Sequence, residues 1–260
     1  MNHWQTGLVL GKFLPLHRGH QFLIETALAQ CEHLTVLVCS LAREPIAGVL
    51  RYAWLQEMFP QAHVVHVTDE NPAYPHEHPD FWQIWTDTIR RHTDAPPDAV
   101  FTSEDYGVEL AQHLGAQHVL VDLDRRNFPV SGTQIRANPL AYWEFIPPVV
   151  RPYFVKRVAI TGPESTGKTT LAAQLAARFD TVWTPEYGRE YVDSGHALDD
   201  LTIGDIAAIA QGQQAREAAQ ARVATRILFC DTDLLTTTLW SRHFFQTCPD
   251  WIETAARAAH

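Results

Sequence analysis

The fold is decided by a stretch in the second half of the chain, Val158-Ala159-Ile160-Thr161-Gly162-Pro163-Glu164-Ser165-Thr166-Gly167-Lys168-Thr169. An apolar run of strand length leads into a glycine-rich loop, and a segment with helical apolar spacing follows from Leu171. The loop matches the pattern G-x-x-x-x-G-K-[ST] between a strand and a helix, which is the context the pattern requires. A chance glycine-rich loop is the alternative, and this context disfavours it. The stretch therefore predicts a P-loop in an α/β unit.

Each part of this loop has a distinct expected task. Backbone N–H groups of the loop would wrap a β-phosphate, Lys168 would bridge β- and γ-phosphate oxygens, and Thr169 would ligate Mg²⁺. ATP is thus the expected co-substrate and Mg²⁺ the expected cofactor. The residues expected to bind this ATP are Gly162, Glu164, Ser165, Thr166, Gly167, Thr169 and Thr170, with Lys168 as the catalytic cation.

Two later segments supply candidate partners for the loop. The run from Ile227 to Asp233 has the pattern of a buried strand that ends in carboxylates, and Asp231 is expected to serve the metal site. Helix capping by Asp233 is the competing interpretation of these carboxylates. The segment 185–191 follows another strand and combines charged and aromatic residues. A solvated loop would explain it, but we favour substrate binding.

The rest of the chain alternates strands and helices. In the first half, strand-length runs at 8–13, 34–41, 63–68, 99–102 and 118–123 alternate with helical spacing at 20–31, 50–59, 80–92 and 106–114. This alternation predicts a parallel sheet of βαβ units. Pro147, Pro148 and Pro152 then interrupt the pattern. A second alternation follows, with strands at 155–161, 182–184 and 227–230 and helices at 171–179 and 203–221. We expect two domains, 1–150 and 151–260.

A second phosphate-binding pattern lies directly after the first strand, in Gly11-Lys12-Phe13-Leu14-Pro15-Leu16-His17-Arg18-Gly19-His20. Gly11 and Gly19 let the backbone approach a triphosphate, and the start of the following helix offers unpaired N–H groups to an anion. Imidazole and Lys12 ammonium groups could stabilise charge that grows on phosphate oxygens. The alternatives are a capped turn with a packed histidine, or a zinc site, for which the nearby sequence offers only Glu25 as a further ligand.

A matching element occurs at Val130-Ser131-Gly132-Thr133-Gln134-Ile135-Arg136, where two hydroxyls and a guanidinium stand at another helix start. Capping by Ser131 explains this segment when it is taken alone. Together, the two segments resemble the [HT]-x-G-H and I-S-T-x-x-R signatures of the nucleotidyltransferase superfamily. The region from Gly7 to about Phe145 resembles its nicotinamide mononucleotide adenylyltransferases.

This resemblance implies a Rossmann-like nucleotidyltransferase domain in which the phosphate of nicotinamide mononucleotide attacks the α-phosphorus of ATP. It implies His17, His20, Lys12 and Arg136 as the groups that stabilise charge. The implied ATP-binding set is Gly11, Phe13, Gly19, Ser131 and Thr133. Val130 in place of the usual Ile, and Gly132 between the hydroxyls, depart from the family pattern.

The resemblance also implies residues for the acceptor. Arg51 matches the family's substrate-phosphate arginine, with an ordinary surface charge on a helix as the alternative. Trp85 matches the indole that stacks on nicotinamide, where a flat cation suits an aromatic face. Core packing is the alternative for Trp85 and the favoured one for Trp82. Tyr106 lies in a segment that resembles the adenosine-proximal S-x-x-Y-G pattern.

The order of the two patterns resembles the NadR family of bifunctional adenylyltransferases and ribosylnicotinamide kinases. It implies a P-loop kinase domain after the nucleotidyltransferase domain, with Glu186, Tyr187 and Arg189 near nicotinamide riboside. The implied ligands are ATP, nicotinamide riboside, nicotinamide mononucleotide and NAD. No helix-turn-helix segment precedes the first strand, and the lid that follows Asp231 in the family is not evident before His260. An abbreviated kinase domain or a fragment would both explain this.

Composition limits the remaining choices. The formal charge of −10 disfavours a nucleic-acid partner, and no apolar run has the length of a membrane span. The four cysteines are scattered, as expected for buried thiols of a cytoplasmic protein. Two other functions stay open: a nucleotide sensor with little turnover, and an adenylyltransferase for another phosphorylated acceptor such as phosphopantetheine. The sequence leaves open the activity of the kinase domain, its general base, the preference between nicotinamide and nicotinate, and any homo-oligomer.

Overall fold

The computed structural model of the chain describes residues 3–197 and 200–258. It divides into two units, 1–150 and 151–260, which are called unit 1 and unit 2 below. Within the described residues, no helix is both long enough and apolar enough to cross a bilayer.

Unit 1 is built on a parallel sheet of five strands in the order β3-β2-β1-β4-β5. The strands are β1 (Trp4–Gly11), β2 (Cys31–Cys39), β3 (His63–Val67), β4 (Ala99–Thr102) and β5 (Gln117–Leu120). The helices are α1 (Arg18–Leu28), α2 (Gly48–Met58), α3 (Phe81–Arg91), α4 (Gly107–Leu114) and α5 (Gly132–Ala137), with 3₁₀ turns at Pro75–Glu77 and Trp143–Phe145. Because the strand order reverses between β1 and β4, their carboxyl ends open a crevice of the kind where Rossmann-type sheets bind ligands.

One core cluster of unit 1 lies between the sheet and helices α3 and α4, and helices α1 and α2 carry further buried apolar residues. The buried members of this cluster are Leu8, Leu37, Cys39, Val67, Ile89, Val100, Leu110 and Ala111, and partly buried side chains of Trp82 and Trp85 pack against it. The strands contribute continuous apolar runs because helices cover the sheet, as in other parallel sheets. The predicted parallel α/β architecture is therefore confirmed.

Several predicted boundaries in unit 1 were wrong by a few residues. Strand β1 begins at Trp4 and ends at Gly11, because Phe13 takes a left-handed backbone conformation with φ of 47°. Helix α1 begins at Arg18, since the Nδ1 atom of His17 accepts the N–H of His20 and caps it. Cys31, which was assigned to that helix, is the first residue of β2.

Unit 2 contains a parallel sheet of three strands in the order β6-β8-β7. The strands are β6 (Lys156–Ile160), β7 (Trp183–Thr184) and β8 (Ile227–Asp231). The helices are α6 (Arg151–Phe154), α7 (Lys168–Arg178), α8 (Tyr187–Asp193), α9 (Ile203–Val223), α10 (Leu234–Phe245) and α11 (Asp250–Ala258). Strand β8 is central and mostly buried. Because β6 pairs with β8 in parallel, with Ile160 opposite Asp231, the loop after β6 and the acidic end of β8 lie at the same edge of the sheet. Helix α7 begins at Lys168, three residues before the predicted start.

All four cysteines are buried and unpaired, as predicted.

Candidate functional site

The structure brings together the two segments of unit 1 that the sequence singled out. The guanidinium of Arg136 donates a hydrogen bond to the backbone carbonyl of Leu14, and it also donates to the Thr133 hydroxyl over 3.2 Å. A side chain at Gly132 would overlap the same Leu14 carbonyl, so only glycine lets helix α5 approach the loop this closely. The presence of Gly132, which departs from the family pattern, is thus explained by this close approach. The Ser131 hydroxyl caps helix α5 by accepting the N–H of Gln134. Helix capping was the alternative interpretation of Ser131, and the structure shows it.

The two histidines form a stacked pair at the start of helix α1. Their ring centroids are 3.7 Å apart with an angle of 23° between the planes. Burial, and then the charge of Arg125, lowers the pKa of His17 to about 3. Burial, His17 and Arg125 also hold the pKa of His20 well below its ordinary value. Both rings are therefore neutral near pH 7. The expectation that these imidazoles stabilise charge on a phosphate stays a prediction. They can still donate N–H groups, and Nδ1 of His20 is buried without a hydrogen-bond partner.

Arg125 is the cation that sequence reasoning missed. It lies in the turn after β5, at the carboxyl edge of the sheet, with φ of 53°. Its guanidinium donates to the Val130 carbonyl over 3.5 Å and lies 3.8 Å from the Glu104 carboxylate. Its charge adds to the effect of burial in lowering the pKa of both histidines. A basic Arg125-Arg126 pair directly after a strand of a parallel sheet was the signal that could have revealed it.

Lys12 and Arg51 are both held by one carboxylate. Glu44 lies 3.1 Å from the Lys12 ammonium and 2.6 Å from the Arg51 guanidinium. Burial opposes ionisation of Glu44, but hydrogen bonds from the Leu41 N–H, Lys12 and Arg51 outweigh it and keep the pKa of Glu44 below its usual value.

Arg51 is not the ordinary surface charge that one of its interpretations supposed. Its side chain is completely buried, and it also donates to the backbone carbonyls of Lys12 and Cys39. It therefore joins the ends of β1 and β2 to helix α2, and its contact with a substrate phosphate stays a prediction. Lys12 remains about half exposed and can reach a ligand from this support.

The other predicted ATP-binding residues of unit 1 line the same turn in different ways. The Phe13 side chain is 2% exposed and packs edge-on against His20, with centroids 5.0 Å apart. This ring supports the histidine, and a contact of Phe13 with the nucleotide stays a prediction. Gly11 lies against the Phe13 ring, and a side chain at Gly19 would press on the His17 ring.

The predicted acceptor aromatics of unit 1 keep partial exposure. Trp85 packs against the core and donates its indole N–H to the Pro72 carbonyl over 3.0 Å. Trp82 stacks on His113 with a centroid distance of 5.5 Å, in keeping with core packing. Tyr106 is 38% exposed and directly precedes helix α4. Trp85 thus packs against the core, as one of its interpretations expects, and stays partly exposed, as stacking on a ligand ring would require.

The loop of unit 2 has P-loop geometry. Gly162 and Gly167 have φ of 151° and 87°, and Ser165 has φ of 59°, so the chain turns sharply before helix α7 begins at Lys168. The Lys168 ammonium and the Thr166 hydroxyl both donate to the Pro163 carbonyl over 2.8 Å. The residues from Thr161 to Gly167 are exposed, and so is Thr170. An exposed loop at a helix N-terminus with a lysine folded across it is suited to bind nucleotide phosphates.

The predicted metal-site pair is in contact. Thr169 donates its hydroxyl proton to Oδ2 of Asp231 over 2.5 Å. Asp231 is 1% exposed at the end of β8, and its Oδ1 atom is buried without a hydrogen-bond partner. A buried carboxylate oxygen that lacks a donor, next to a hydroxyl, fits a divalent cation that prefers oxygen ligands. Asp233, the competing candidate, caps helix α10 by accepting the N–H of Thr236.

A cavity of about 430 Å³ opens beside the P-loop. Glu164, Ser165, Lys168, Glu186 and Arg189 all line it. Burial, and then the charge of Asp231, raises the pKa of Glu186, while Arg189 and Lys168 oppose this shift. The Arg189 guanidinium lies 3.5 Å from the Glu186 carboxylate.

Tyr187 lies elsewhere, although the sequence grouped it with Glu186 and Arg189. Its ring packs against Gly212 of helix α9, its N–H donates to Gln213 over 3.0 Å, and the Arg216 guanidinium lies 4.8 Å from its ring centroid. The ring joins α8 to α9 and does not line the cavity. The sequence did not indicate this helix packing, and a contact of Tyr187 with substrate stays a prediction.

These features define a two-unit α/β protein whose second unit carries a P-loop. A family model described as an AAA domain matches residues 157–260. The chain is homologous to NadR. It is 35% identical to the trifunctional NAD biosynthesis/regulator protein NadR of Escherichia coli (strain K12) and 34% identical to that of Salmonella typhimurium (strain LT2). Both alignments cover 92% of this chain and 62% of the relative, so the chain spans less than two thirds of these relatives.

Solved structures give the same relationship. A NadR protein in complex with NAD and AMP-PNP matches with a TM-score of 0.76 and 26% identity, over 100% of this chain and 78% of the other. A NadR protein in complex with NR matches with a TM-score of 0.77 and 26% identity, over 99% and 76% of the two chains.

Proposed function

We propose that the protein acts in NAD biosynthesis through two activities. Unit 2 would phosphorylate nicotinamide riboside with ATP, and unit 1 would transfer the adenylyl group of a second ATP to the resulting mononucleotide, giving NAD and pyrophosphate. Homology to NadR proteins that bind NAD, AMP-PNP and NR supports this proposal.

One observation supports the unit 1 activity: Arg136 of the 130–136 segment donates to the Leu14 carbonyl of the 11–20 loop, across 122 residues of sequence. This contact joins the loop that precedes helix α1 to the segment that carries the Ser131 and Thr133 hydroxyls. Such a set of donors suits a triphosphate more than any neutral ligand.

In unit 1, no side chain needs to become covalently attached. A phosphate oxygen of nicotinamide mononucleotide attacks the α-phosphorus of ATP, the bond from that phosphorus to the β-phosphate oxygen breaks, and pyrophosphate leaves. Neutral His17 and His20 would donate hydrogen bonds to the phosphate oxygens, while Lys12 and Arg125 would supply positive charge. Catalysis would then consist of positioning and charge stabilisation. Trp85 is proposed to contact the nicotinamide ring, and Tyr106 to lie near the adenosine.

In unit 2, the riboside 5′-hydroxyl attacks the γ-phosphorus of ATP, and ADP leaves. Lys168 would bridge the β- and γ-phosphates, and Glu186 would accept the hydroxyl proton, for which its raised pKa suits it. Thr169 and Asp231 would hold Mg²⁺, which neutralises charge on the phosphates when bound.

The test supplies the purified chain with ATP, Mg²⁺ and either nicotinamide mononucleotide or nicotinamide riboside, and follows products by chromatography. We expect NAD and pyrophosphate from the mononucleotide, and ADP with phosphorylated riboside from the riboside. His20→Asn should lower NAD formation about 100-fold, while Lys168→Ala should abolish only the riboside reaction.

Folded protein that yields no NAD would contradict the unit 1 activity. Tight nucleotide binding without turnover would then favour the sensor, and turnover with phosphopantetheine or a sugar phosphate would favour another acceptor.

A further inference from the structure

Unit 1 contains two hydroxyl–imidazole pairs that the proposed mechanism does not use. The hydroxyl of Ser40, directly after β2, lies 2.8 Å from Nε2 of His66 in β3. The hydroxyl of Thr102, at the end of β4, lies 2.8 Å from Nε2 of His118 in β5. They are called the β2 pair and the β4 pair below. Because β2 and β4 flank β1 in the sheet, the pairs lie on either side of the strand that leads into the proposed phosphate loop.

The two pairs occupy equivalent positions in the sheet. His66 lies opposite Val38 in the register of β3 and β2. His118 lies opposite Val100 in the register of β5 and β4. In both pairs the hydroxyl residue comes two positions after this partner. Val100 belongs to the core cluster under α3 and α4, whereas Val38 follows Leu37 of that cluster and so points to the other face. The same arrangement is thus built twice, once on each face of the sheet.

Each pair supports the start of one helix. Gly48 is the first residue of α2, and a side chain there would overlap both members of the β2 pair. Gly107 is the first residue of α4, and a side chain there would overlap both members of the β4 pair. Only glycine permits this close approach. Neither helix has a side-chain capping bond at its N-terminus, so this packing helps to fix each first turn against the sheet.

The protonation of the imidazoles suits this place. Thr102 donates its one hydroxyl proton to the Glu104 carbonyl over 2.9 Å, so Nε2 of His118 carries the proton that joins the β4 pair. Burial lowers the pKa of His118. Burial, and then the charge of Arg51, lowers the pKa of His66. Neutral rings are favourable here, because a cation beside a helix N-terminus is repelled by the helix dipole.

The two helix starts carry different parts of the proposed adenylyl-transfer site. Arg51, which is predicted to contact the phosphate of the mononucleotide, lies in the first turn of α2. The Tyr52 ring beside it stacks on His66, with centroids 5.8 Å apart and 20° between the planes. Tyr106, which is proposed to lie near the adenosine, directly precedes α4. A shift of either helix start would therefore disturb the contacts of one substrate and spare those of the other.

We propose that His66 and His118 are positioning residues for adenylyl transfer. His66 holds the start of α2 in place for the mononucleotide, and His118 holds the start of α4 in place for ATP. This inference rests on the proposed activity of unit 1, and it assigns each histidine to a different substrate.

Steady-state NAD formation by the full chain, with each substrate varied in turn, tests this assignment. His66→Leu removes the imidazole hydrogen bond and should raise KM for the mononucleotide about 10-fold, with KM for ATP within about 2-fold of wild type. His118→Leu should do the opposite. His66→Gln and His118→Gln place an amide near the position of Nε2, and they should recover most of the lost affinity.

His63→Ala and Gln117→Ala, at exposed residues that begin β3 and β5, are the matched controls and should keep both KM values of wild type. Hydrogen exchange of the ligand-free chain gives a readout that does not depend on activity. His66→Leu should speed exchange in the first turn of α2 alone, and His118→Leu in the first turn of α4 alone.

Equal rises of both KM values in one leucine variant would overturn the assignment, as would a lack of recovery in the glutamine variants. Faster exchange with unchanged KM values would make the pairs purely structural and would also overturn it. A wild-type chain that forms no NAD would instead remove the proposed activity. Calorimetric affinities for the mononucleotide and AMP-PNP, measured in a Lys168→Ala background, then replace the two KM values, and unchanged affinities in the leucine variants would overturn the positioning role.

Discussion

The two loops of this chain that we propose to bind phosphates are built in opposite ways. The loop of unit 2 is exposed from Thr161 to Gly167 and owes its shape to local backbone conformation, with positive φ at Gly162, Ser165 and Gly167. The loop of unit 1 is built from buried side chains, since Phe13 is 2% and His17 is 7% exposed. Arg136, from a distant part of the sequence, also donates to the Leu14 carbonyl of this loop. The loop of unit 2 is therefore shaped by its own backbone, whereas the loop of unit 1 depends on tertiary contacts.

The largest effect should come from Gly132→Ala, which tests whether the unit 1 site depends on a distant segment. The new methyl group would overlap the Leu14 backbone carbonyl, so loop and helix α5 must separate. We expect NAD formation to fall by about 100-fold or more, since displacement of positioned groups is costly in catalysis, while riboside phosphorylation continues. Gly204→Ala is the control, because its methyl would meet nothing closer than the Thr202 hydroxyl at 3.4 Å. Wild-type NAD formation by Gly132→Ala would show that the two segments act independently.

The next effect concerns proton transfer in unit 2. Glu186→Gln should lower riboside phosphorylation about 100-fold. Because the pKa of Glu186 is raised, the wild-type rate should fall with decreasing pH at a value above the ordinary carboxyl range, and this acid limb should be absent from the variant. Glu190→Gln, at a 63% exposed carboxylate paired with Arg216, is the matched control. An acid limb that persists in Glu186→Gln would assign the proton acceptor elsewhere.

A smaller effect should distinguish the adjacent arginines of unit 1. Arg125→Met removes the cation whose charge lowers the pKa of both histidines, and we expect a 10- to 100-fold loss of kcat for NAD formation, on the order of one lost charge-stabilising group. It should also raise the pKa of His17, measurable by NMR titration. Arg126→Met is the control, since Arg126 is 82% exposed and pairs with Asp124. Similar losses in both variants would argue for a general charge effect.

Sequence patterns predicted the features that depend on local spacing and strand order. They missed the contacts between segments that are far apart in the sequence. The P-loop, its strand and the Asp231–Thr169 pair were predictable because spacing and strand order alone bring them together. Arg125 was missed because its importance depends on which turn packs against α1. Arg51 and Tyr187 were predicted to bind ligands. A single sequence does not reveal that Arg51 pairs with Glu44 inside the unit, or that the Tyr187 ring packs against Gly212.

The smallest effect is on acid stability. An unfolded histidine titrates near pH 6.5, whereas the folded pKa of His17 is about 3. Between these values the unfolded chain binds a proton that the folded chain does not, so stability falls as pH falls through this window. His17→Asn should lose about 2–4 °C less in Tm between pH 7 and pH 5 than wild type. His243→Asn, at an exposed residue of α10, should match wild type. Equal acid sensitivity in His17→Asn would mean that the histidine is protonated in the fold.

Each unit is proposed to have its own triphosphate site, and calorimetric titration of the whole chain with AMP-PNP tests this directly. We predict two bound molecules per wild-type chain, one in Lys168→Ala, one in Gly132→Ala and none when both changes are combined. A single site in the wild-type chain, or a double variant that still binds AMP-PNP, would contradict it.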